Sequence, residues 1–504
     1  MTAHARGIQA DSLIQDAMEV LRSARSVKNS LVPINQIPPE VISLVPDYNC
    51  GHRADKDLIA LTHVCRSWRD TFTSRSSLWT RLCFKDINKT CTYIQRSQYS
   101  PLEFRLGDDV IDGAFSSAVP HIRRLKSLTI NGKEALRVLK HFRCHVPPLL
   151  EKLDIYVDQN RWRLNSAPFN GDLPSLQELR LCGATTNCHW KNLANLRIVR
   201  LRSVFPPHTL THLLDFFESA PLLHTVSLEG SIEGSPVTPP DRMVSLCHLK
   251  VLTIRGKPQH SILLNRLHIP VGASLTSQSE TYSEEFPYPD YFPERSPNLE
   301  NLSRITAINL FFSRYDVRVR LSGPSGSLCI LVHWWDLSSL PFPARPQVFR
   351  FLAPTIPTIE RLAVSSYPPT NPMEGERCPI FQTLSSANHL RTLTLAQCDC
   401  RPFTRALDPE ENPSDPLLCP TMEELILYAE FLPPFYVDDL IKMAKNRASR
   451  GVKLPSITIV DMSGGKQVKG VFKLRDHVTH VEYRVGGAQP AWDDVPGESS
   501  CGSK

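Results

Sequence analysis

One small pattern returns eleven times along this 504-residue chain: apolar, two residues, apolar, one residue, apolar. It runs through Leu125–Leu128–Ile130, Leu150–Leu153–Ile155, Leu176–Leu179–Leu181, Leu196–Val199–Leu201 and Leu223–Val226–Leu228. It continues with Leu249–Leu252–Ile254, Leu264–Leu267–Ile269, Ile305–Ile308–Leu310, Ile359–Leu362–Val364, Leu390–Leu393–Leu395 and Met422–Leu425–Leu427. The last two apolar residues of each unit lie two apart, so they point the same way from a strand. The first anchors the incoming turn. Such a strand cannot bury its apolar face alone, and neighbouring units must stack to cover it. Proline often precedes a unit (Pro174, Pro221, Pro357, Pro420) and sets a rigid turn before the strand.

Several units start about 26 residues apart, and the pattern resembles that of leucine-rich repeats. The resemblance implies an irregular α/β solenoid over residues 86–485. The Asn or Cys expected three residues past the strand is mostly absent; only Cys398 sits there, so the turns should be irregular. Spacing breaks down between Ile269 and Val364. An acidic aromatic stretch, SETYSEEFPYPDYFPERSPN, lies there. Alternation at Val317, Val319 and Leu321, and again at Leu328, Ile330 and Val332, predicts extra strands. We therefore expect an irregular insertion around 270–355. A set of unrelated strands or a β-sandwich is the alternative. Ser456–Met462 and Val478–Val485 read as closing strands, and the Gly-, Pro- and Ser-rich tail 486–504 as disordered.

Residues 31–85 have another character. Ile37-Pro38-Pro39-Glu40 places prolines at a helix start, where a missing N–H and a fixed φ are tolerated. Val41, Ile42, Leu44 and Val45 make one short apolar turn, ended by Pro46 and Asn49-Cys50-Gly51. Asp57 is positioned to cap a second helix, in which Leu58, Leu61, Val64, Cys65 and Trp68 share a face. Leu78-Trp79 opens a third. Three short helices carry more apolar side chains than so small a unit can cover, which points to a partner surface.

Pro38, Glu40, Val64, Cys65, Trp68, Leu78 and Trp79 resemble the pattern of an F-box: a Leu-Pro-x-Glu-Ile start, a Val-Cys-x-x-Trp core and a Leu-Trp end. Ile37 replaces the leading Leu, and the break between the first two helices is long. More narrowly, the segment resembles the F-box of a large group of mushroom-type (basidiomycete) fungal proteins. The resemblance implies an α+β chain: a small all-α F-box of three helices, then the leucine-rich-repeat solenoid. It implies docking on the Skp-type adaptor of a cullin–RING ubiquitin ligase, with Pro38, Glu40, Ile42, Leu58, Leu61, Val64, Cys65, Trp68, Leu78 and Trp79 as the candidate surface. Some of these must pack the module instead, and the sequence does not sort them. Upstream, Leu13, Ala17, Val20, Leu21 and Ala24 recur at helical spacing, so residues 1–30 are read as a helix and linker leaning on the F-box.

In a leucine-rich arc, side chains between and just after the inward apolar pair face the concave side. This places Tyr156, Arg180, Arg200, Arg202, Glu229, Arg255, Asn309, Phe311, Arg361 and Tyr428 on a candidate substrate surface. Arginines on adjacent strands suit forked hydrogen bonds to carboxylate or phosphate, and hence an acidic or phosphorylated protein segment. The plainer reading is a solvated strand face that is basic by composition.

A net charge of +6 with no basic run of five gives no reason to invoke nucleic acid. The fourteen cysteines form no Cys-x-x-Cys pair and show no zinc spacing. The start lacks an apolar signal core and no apolar run is long enough to span a bilayer, so we expect a cytoplasmic or nuclear protein with no membrane contact, metal or cofactor. No phosphate-binding loop, dinucleotide fingerprint, zincin motif or nucleophile elbow occurs, so no enzyme is expected. The expected function is substrate recognition for a cullin–RING ligase; the alternative is a non-degradative scaffold built from the same parts.

Overall fold

The computed structural model describes residues 3–42, 44–45, 54–132, 145–157, 168–183, 190, 192–202, 208–230, 232–233, 242–256, 260–281, 298–313, 316–334, 352, 355–367, 384, 386–396, 400–410, 417–429, 434–462 and 470–486. The chain divides into two compact units, 1–184 with 188–195, and 185–187 with 196–504. Both mix helices and strands.

The first unit opens with α1 (Ala3–Ser30). The helix is there, and among the described residues the module that follows does not cover it. Leu13, Val20 and Leu21 are 63, 70 and 51% exposed, and the core of the module draws on no residue of α1. A one-turn helix α2 (Pro39–Ile42) follows, with Pro39 as its first residue. The single helix expected through Trp68 is two, α3 (Ala54–Thr62) and α4 (Arg66–Ser74), and Asp57 lies inside α3 rather than capping it. The break has local causes. Thr62 Oγ1 turns back to the carbonyl of Ile59 at 2.7 Å, and Arg69 Nε takes the carbonyl of Thr62 at 3.1 Å. Cys65 is extended, with φ −156°. The expected third helix is a 3-10 turn over Ser76–Trp79. The ends assigned to the first helix, Pro46 and Asn49 to Gly51, lie outside the described residues.

The module runs straight into a sheet, whose first strand falls inside the segment expected to be all-helical. Strands β1 (Arg81–Cys83), β2 (Leu102–Leu106), β3 (Leu125–Asn131), β4 (Lys152–Tyr156) and β5 (Glu178–Cys182) pair in parallel, each with the next. Register aligns Leu82, Phe104, Leu128, Leu153 and Leu179, all buried. The repeat's apolar positions thus form one continuous inner face. Helices α5 (Ile87–Ser97) and α6 (Asp112–Ala118) lie between β1 and β3 in the chain. Phe84, Phe104 and Phe115 meet edge to face, with centroids 5.1 to 6.5 Å apart. After β5 the chain turns at Gly183, at φ +71°, where a Cβ would stand 2.0 Å from the carbonyl oxygen of Val157. Only glycine fits there.

The second unit carries a large mixed sheet. Strands β6 (Ile198–Arg202), β7 (Thr225–Glu229), β8 (Val251–Gly256) and β9 (Ser274–Thr281) are successive parallel neighbours. Then the order departs from the sequence. Chain order gives β10 (Ala307–Ser313), β11 (Asp316–Gly323) and β12 (Gly326–Trp334), but β12 pairs with β9. Strand β11 is antiparallel to both β12 and β10, and β10 continues in parallel to β13 (Arg361–Tyr367). The extra strands expected from alternation therefore sit in the sheet and continue it. Parallel pairing resumes through β14 (Thr392–Ala396), β15 (Glu424–Ala429), β16 (Ser456–Asp461) and β17 (His480–Val485).

One pattern match was misplaced. Leu264 ends a short helix, and Leu267–His268 pairs with Val244–Ser245 in a separate two-stranded sheet. The main-sheet strand of that stretch is β9, where Leu275 aligns with Leu252. Leu267 and Ile269 are buried all the same, so their spacing reported burial but not which sheet. Asn301, which begins an Asn-Leu-Ser triplet, is fully buried and donates to the carbonyl of Ser327 at 3.2 Å, so it is no glycan acceptor in the fold. The tail beyond Gly486 lies outside the described residues.

Candidate functional site

Two surfaces follow from this placement. The first is the small helical module. Its core is Ile42, Trp68 and Phe72, with Leu61, Cys65 and Leu78 packed against it. Trp68 and Phe72 are four apart on α4 and meet edge to face at 5.7 Å. Leu58 is buried as well. Trp79 has no exposed surface. Its Nε1 donates to the carbonyl of Phe72 at 2.8 Å, its ring meets Tyr93 edge to face at 5.0 Å, and the Arg96 guanidinium lies 4.4 Å over it. The expected candidate surface therefore divides. Ile42, Leu58, Trp68 and Trp79 pack, because a side chain without exposed area has nothing to offer a partner. Pro38, Glu40 and Val64 are exposed, Val64 at 53%.

Exposed apolar side chains that the pattern did not single out accompany them: Ile37, Val41, Leu44 and Ile59. Ile37, Val41 and Leu44 are spaced four and three apart around α2, away from buried Ile42. The alternation of inward Ile42 with outward Val41 was present in the sequence, but a single turn is too short to reveal its direction.

The second surface is the open face of the strands. In the first unit the pairs carry their own counter-charges. Arg81 meets Glu103, and Glu178 takes both Lys152 and Arg180. Burial alone would raise the Glu178 carboxyl, but the hydrogen bond and charge of Arg180, with Lys152, hold it below the usual carboxylate range. Arg180 is therefore already engaged, and Tyr156 is a half-exposed neighbour in register with Cys182.

In the second unit, register puts Arg202, Glu229 and Arg255 in one row and continues it through Gln278 and Leu331 to Arg318 and Phe311. The row beside it carries Arg200 and Arg320, with Asn309 next to Arg320. Arg202 pairs with Glu229 at 3.1 Å, and Arg318 lies 5.6 Å over the Phe311 ring. Two donor atoms in these rows, Arg255 Nε and Arg320 Nη2, are buried with no acceptor. Arg318 and Arg320 escaped the repeat pattern because they sit on the antiparallel strand β11. Arg361 and Tyr428 lie further along the same face, on β13 and β15.

Among the described residues no group of His, Cys, Asp and Glu could hold a metal ion, and no helix is long and apolar enough to cross a membrane.

Comparison with known families then bears on the helical module. Residues 34–85 match the family model described as F-box-like. The match covers about a tenth of the chain. It supports an F-box protein, and an F-box-like domain suggests a substrate-adaptor role in SCF-type ligases generally. Proteins with this domain are generally adaptors rather than enzymes. A comparison with curated proteins finds no match.

Proposed function

We propose that this chain is the substrate-recognition subunit of an SCF-type cullin–RING ubiquitin ligase. The observation that carries the reading is the F-box-like segment 34–85, whose exposed apolar side chains stand outside a core already filled by Trp68, Phe72 and Trp79. Pro38, Glu40 and Val64, joined by Val41, Leu44 and Ile59, form the adaptor-docking surface. Half-buried Leu61, Cys65 and Leu78 back it.

Residues 86–485 form a leucine-rich-repeat-like solenoid in this reading, supported by the parallel strands whose repeat leucines align. Its open face in the second unit holds a protein cargo. Arg200, Arg202, Arg255, Arg318 and Arg320 share the strand rows of β6 to β11 with Glu229, and Glu280 and Asp316 stand at the end of β9 and β11, both in register with His333. Arginine guanidinium groups suit forked hydrogen bonds to carboxylate or phosphate oxygens. The cargo is therefore an acidic or phosphorylated protein segment, met in the cytoplasm or nucleus.

Affinity purification of the full chain from cells, with and without a proteasome inhibitor, tests this. Adaptor and cullin should co-purify, and at least one bound protein should accumulate when the proteasome is blocked. Adaptor without cullin, and no stabilised cargo, would favour the non-degradative scaffold.

A further inference from the structure

On the open face of the second unit, register lines side chains up in rows that run across the strands. One row reads Arg200, Ser227, Thr253, Thr276, Cys329 and Arg320. Its two ends are basic, and the residues between them are small and uncharged. Arg255 stands on β8, one same-face position beyond Thr253. The alternate positions, Val199, Leu201, Leu252, Ile254, Val319 and Leu321, are buried, so the row points to the open side.

Charge balance separates three of the arginines from their neighbours. Arg202 meets Glu229 at 3.1 Å, and Arg318 lies over the Phe311 ring. Arg200, Arg255 and Arg320 take part in no ion pair among the described residues. Arg200 is exposed, and the other two are half-buried. Glu280 and Asp316 belong to a different row, in register with His333.

The sheet sets the distances between the three. From β6 to β8 is two strand steps, roughly 10 Å, and from β8 to β11 three more, roughly 14 Å. An extended chain rises about 3.3 Å per residue, so it covers these intervals in about three and four residues. The small side chains of the row leave room for a main chain along it.

We propose that the cargo segment lies extended across the strands of the second unit and carries acidic groups at positions i, i+3 and i+7, counted from Arg200 through Arg255 to Arg320. This rests on the reading of that face as the cargo surface and gives the cargo a spacing. Each guanidinium takes two oxygens of a carboxylate or phosphate in a forked pair. Contacts linked on one short segment reinforce one another, because the first raises the local concentration of the rest.

The test titrates the full chain with fluorescent glycine-serine peptides, read by anisotropy. Each carries three glutamates: spaced as proposed in either chain direction, clustered side by side, or spread twice as far. A matched set carries phosphoserine instead, which separates carboxylate from phosphate as the oxygen source. At equal charge, a peptide with the proposed spacing should bind at least about tenfold more tightly than the clustered and spread ones. Arg320→Ala should make binding indifferent to removal of the one terminal glutamate that faces it, and Arg200→Ala to removal of the other, in variants that melt like wild type. Equal affinity for all spacings would overturn the proposal and leave an acidic cargo standing. So would a spacing preference that survives both alanine substitutions, which would place the contact elsewhere. Failure of every acidic peptide to bind would overturn the acidic cargo itself, and the spacing with it.

Discussion

Trp79 Nε1 donates to the main-chain carbonyl of Phe72 across 2.8 Å, tying the last turn of the F-box-like segment to the helix that carries its core. The same indole rests against Tyr93 and Arg96 of the next helix, so one side chain joins the docking module to the start of the sheet.

Trp79→Ala should therefore act on stability. Emptying a fully buried aromatic site costs about 3–5 kcal/mol. Trp79→Phe keeps most of the packing and loses the hydrogen bond, for about 1–2 kcal/mol. Urea denaturation followed by circular dichroism reads both. Adaptor affinity of folded Trp79→Phe should equal that of wild type; a large loss there would return Trp79 to the interface.

Surface substitutions should do the reverse. Val41→Asp and Val64→Asp replace half-exposed side chains, so folding stability should move by no more than about 0.5 kcal/mol. Adaptor binding should weaken by about 1–3 kcal/mol each. Calorimetric titration with purified adaptor gives the second number, and a thermal melt the first.

Glu178 predicts a pH signature. Its folded carboxyl sits below the ordinary value, so its contribution is present above the unfolded pKa and is lost as pH falls through the folded one. The group is partly exposed, so the contribution is modest, about 0.5 kcal/mol. Glu178→Gln should be less stable than wild type at neutral pH, and the two should converge below the usual carboxylate pKa. A gap that persisted in acid would assign the effect to shape rather than charge.

Cargo capture should depend on the second unit's arginines. Arg200→Glu with Arg255→Glu should abolish it, while Arg180→Glu, whose wild-type charge is already met by Glu178, should cost less. Wild-type capture should fall with added salt, because exposed charges are screened within about 10 Å at 0.1 M. Pull-downs of the identified cargo across a salt series decide between this and an apolar mode.

Arg447 offers a prediction unrelated to binding. Its guanidinium is buried and donates to the carbonyls of Leu418 and Cys419, each at 2.9 Å. Arg447→Met should cost about 3 kcal/mol, since it strands buried acceptors. Chemical denaturation measures it.

Much of this architecture was legible. Residues two apart, such as Leu153 and Ile155, announce a strand with one buried face because strand geometry allows nothing else. Direction and partner were not. Strand β11 alternates like its neighbours, yet runs against them, since alternation is blind to polarity. Leu267 carries the repeat spacing in a different sheet, and Ile269 in an isolated bridge to Leu299. In the docking module, Trp68, Trp79 and Val64 all matched the pattern. Only packing separates the buried indoles from the exposed valine, because Trp79 is covered by Tyr93 and Arg96 of the next helix, which the pattern does not include. The buried Arg447 sits in the polar-looking run KNRAS, where nothing local signals its three carbonyl partners.

The central claim is tested most directly by titrating the full-length chain with purified Skp-type adaptor, wild type beside Val41→Asp with Val64→Asp. The account predicts saturable binding by wild type and at least about a thirtyfold loss in a double variant that melts like wild type. Absence of binding by the folded wild-type protein, or equal binding by both, would contradict it.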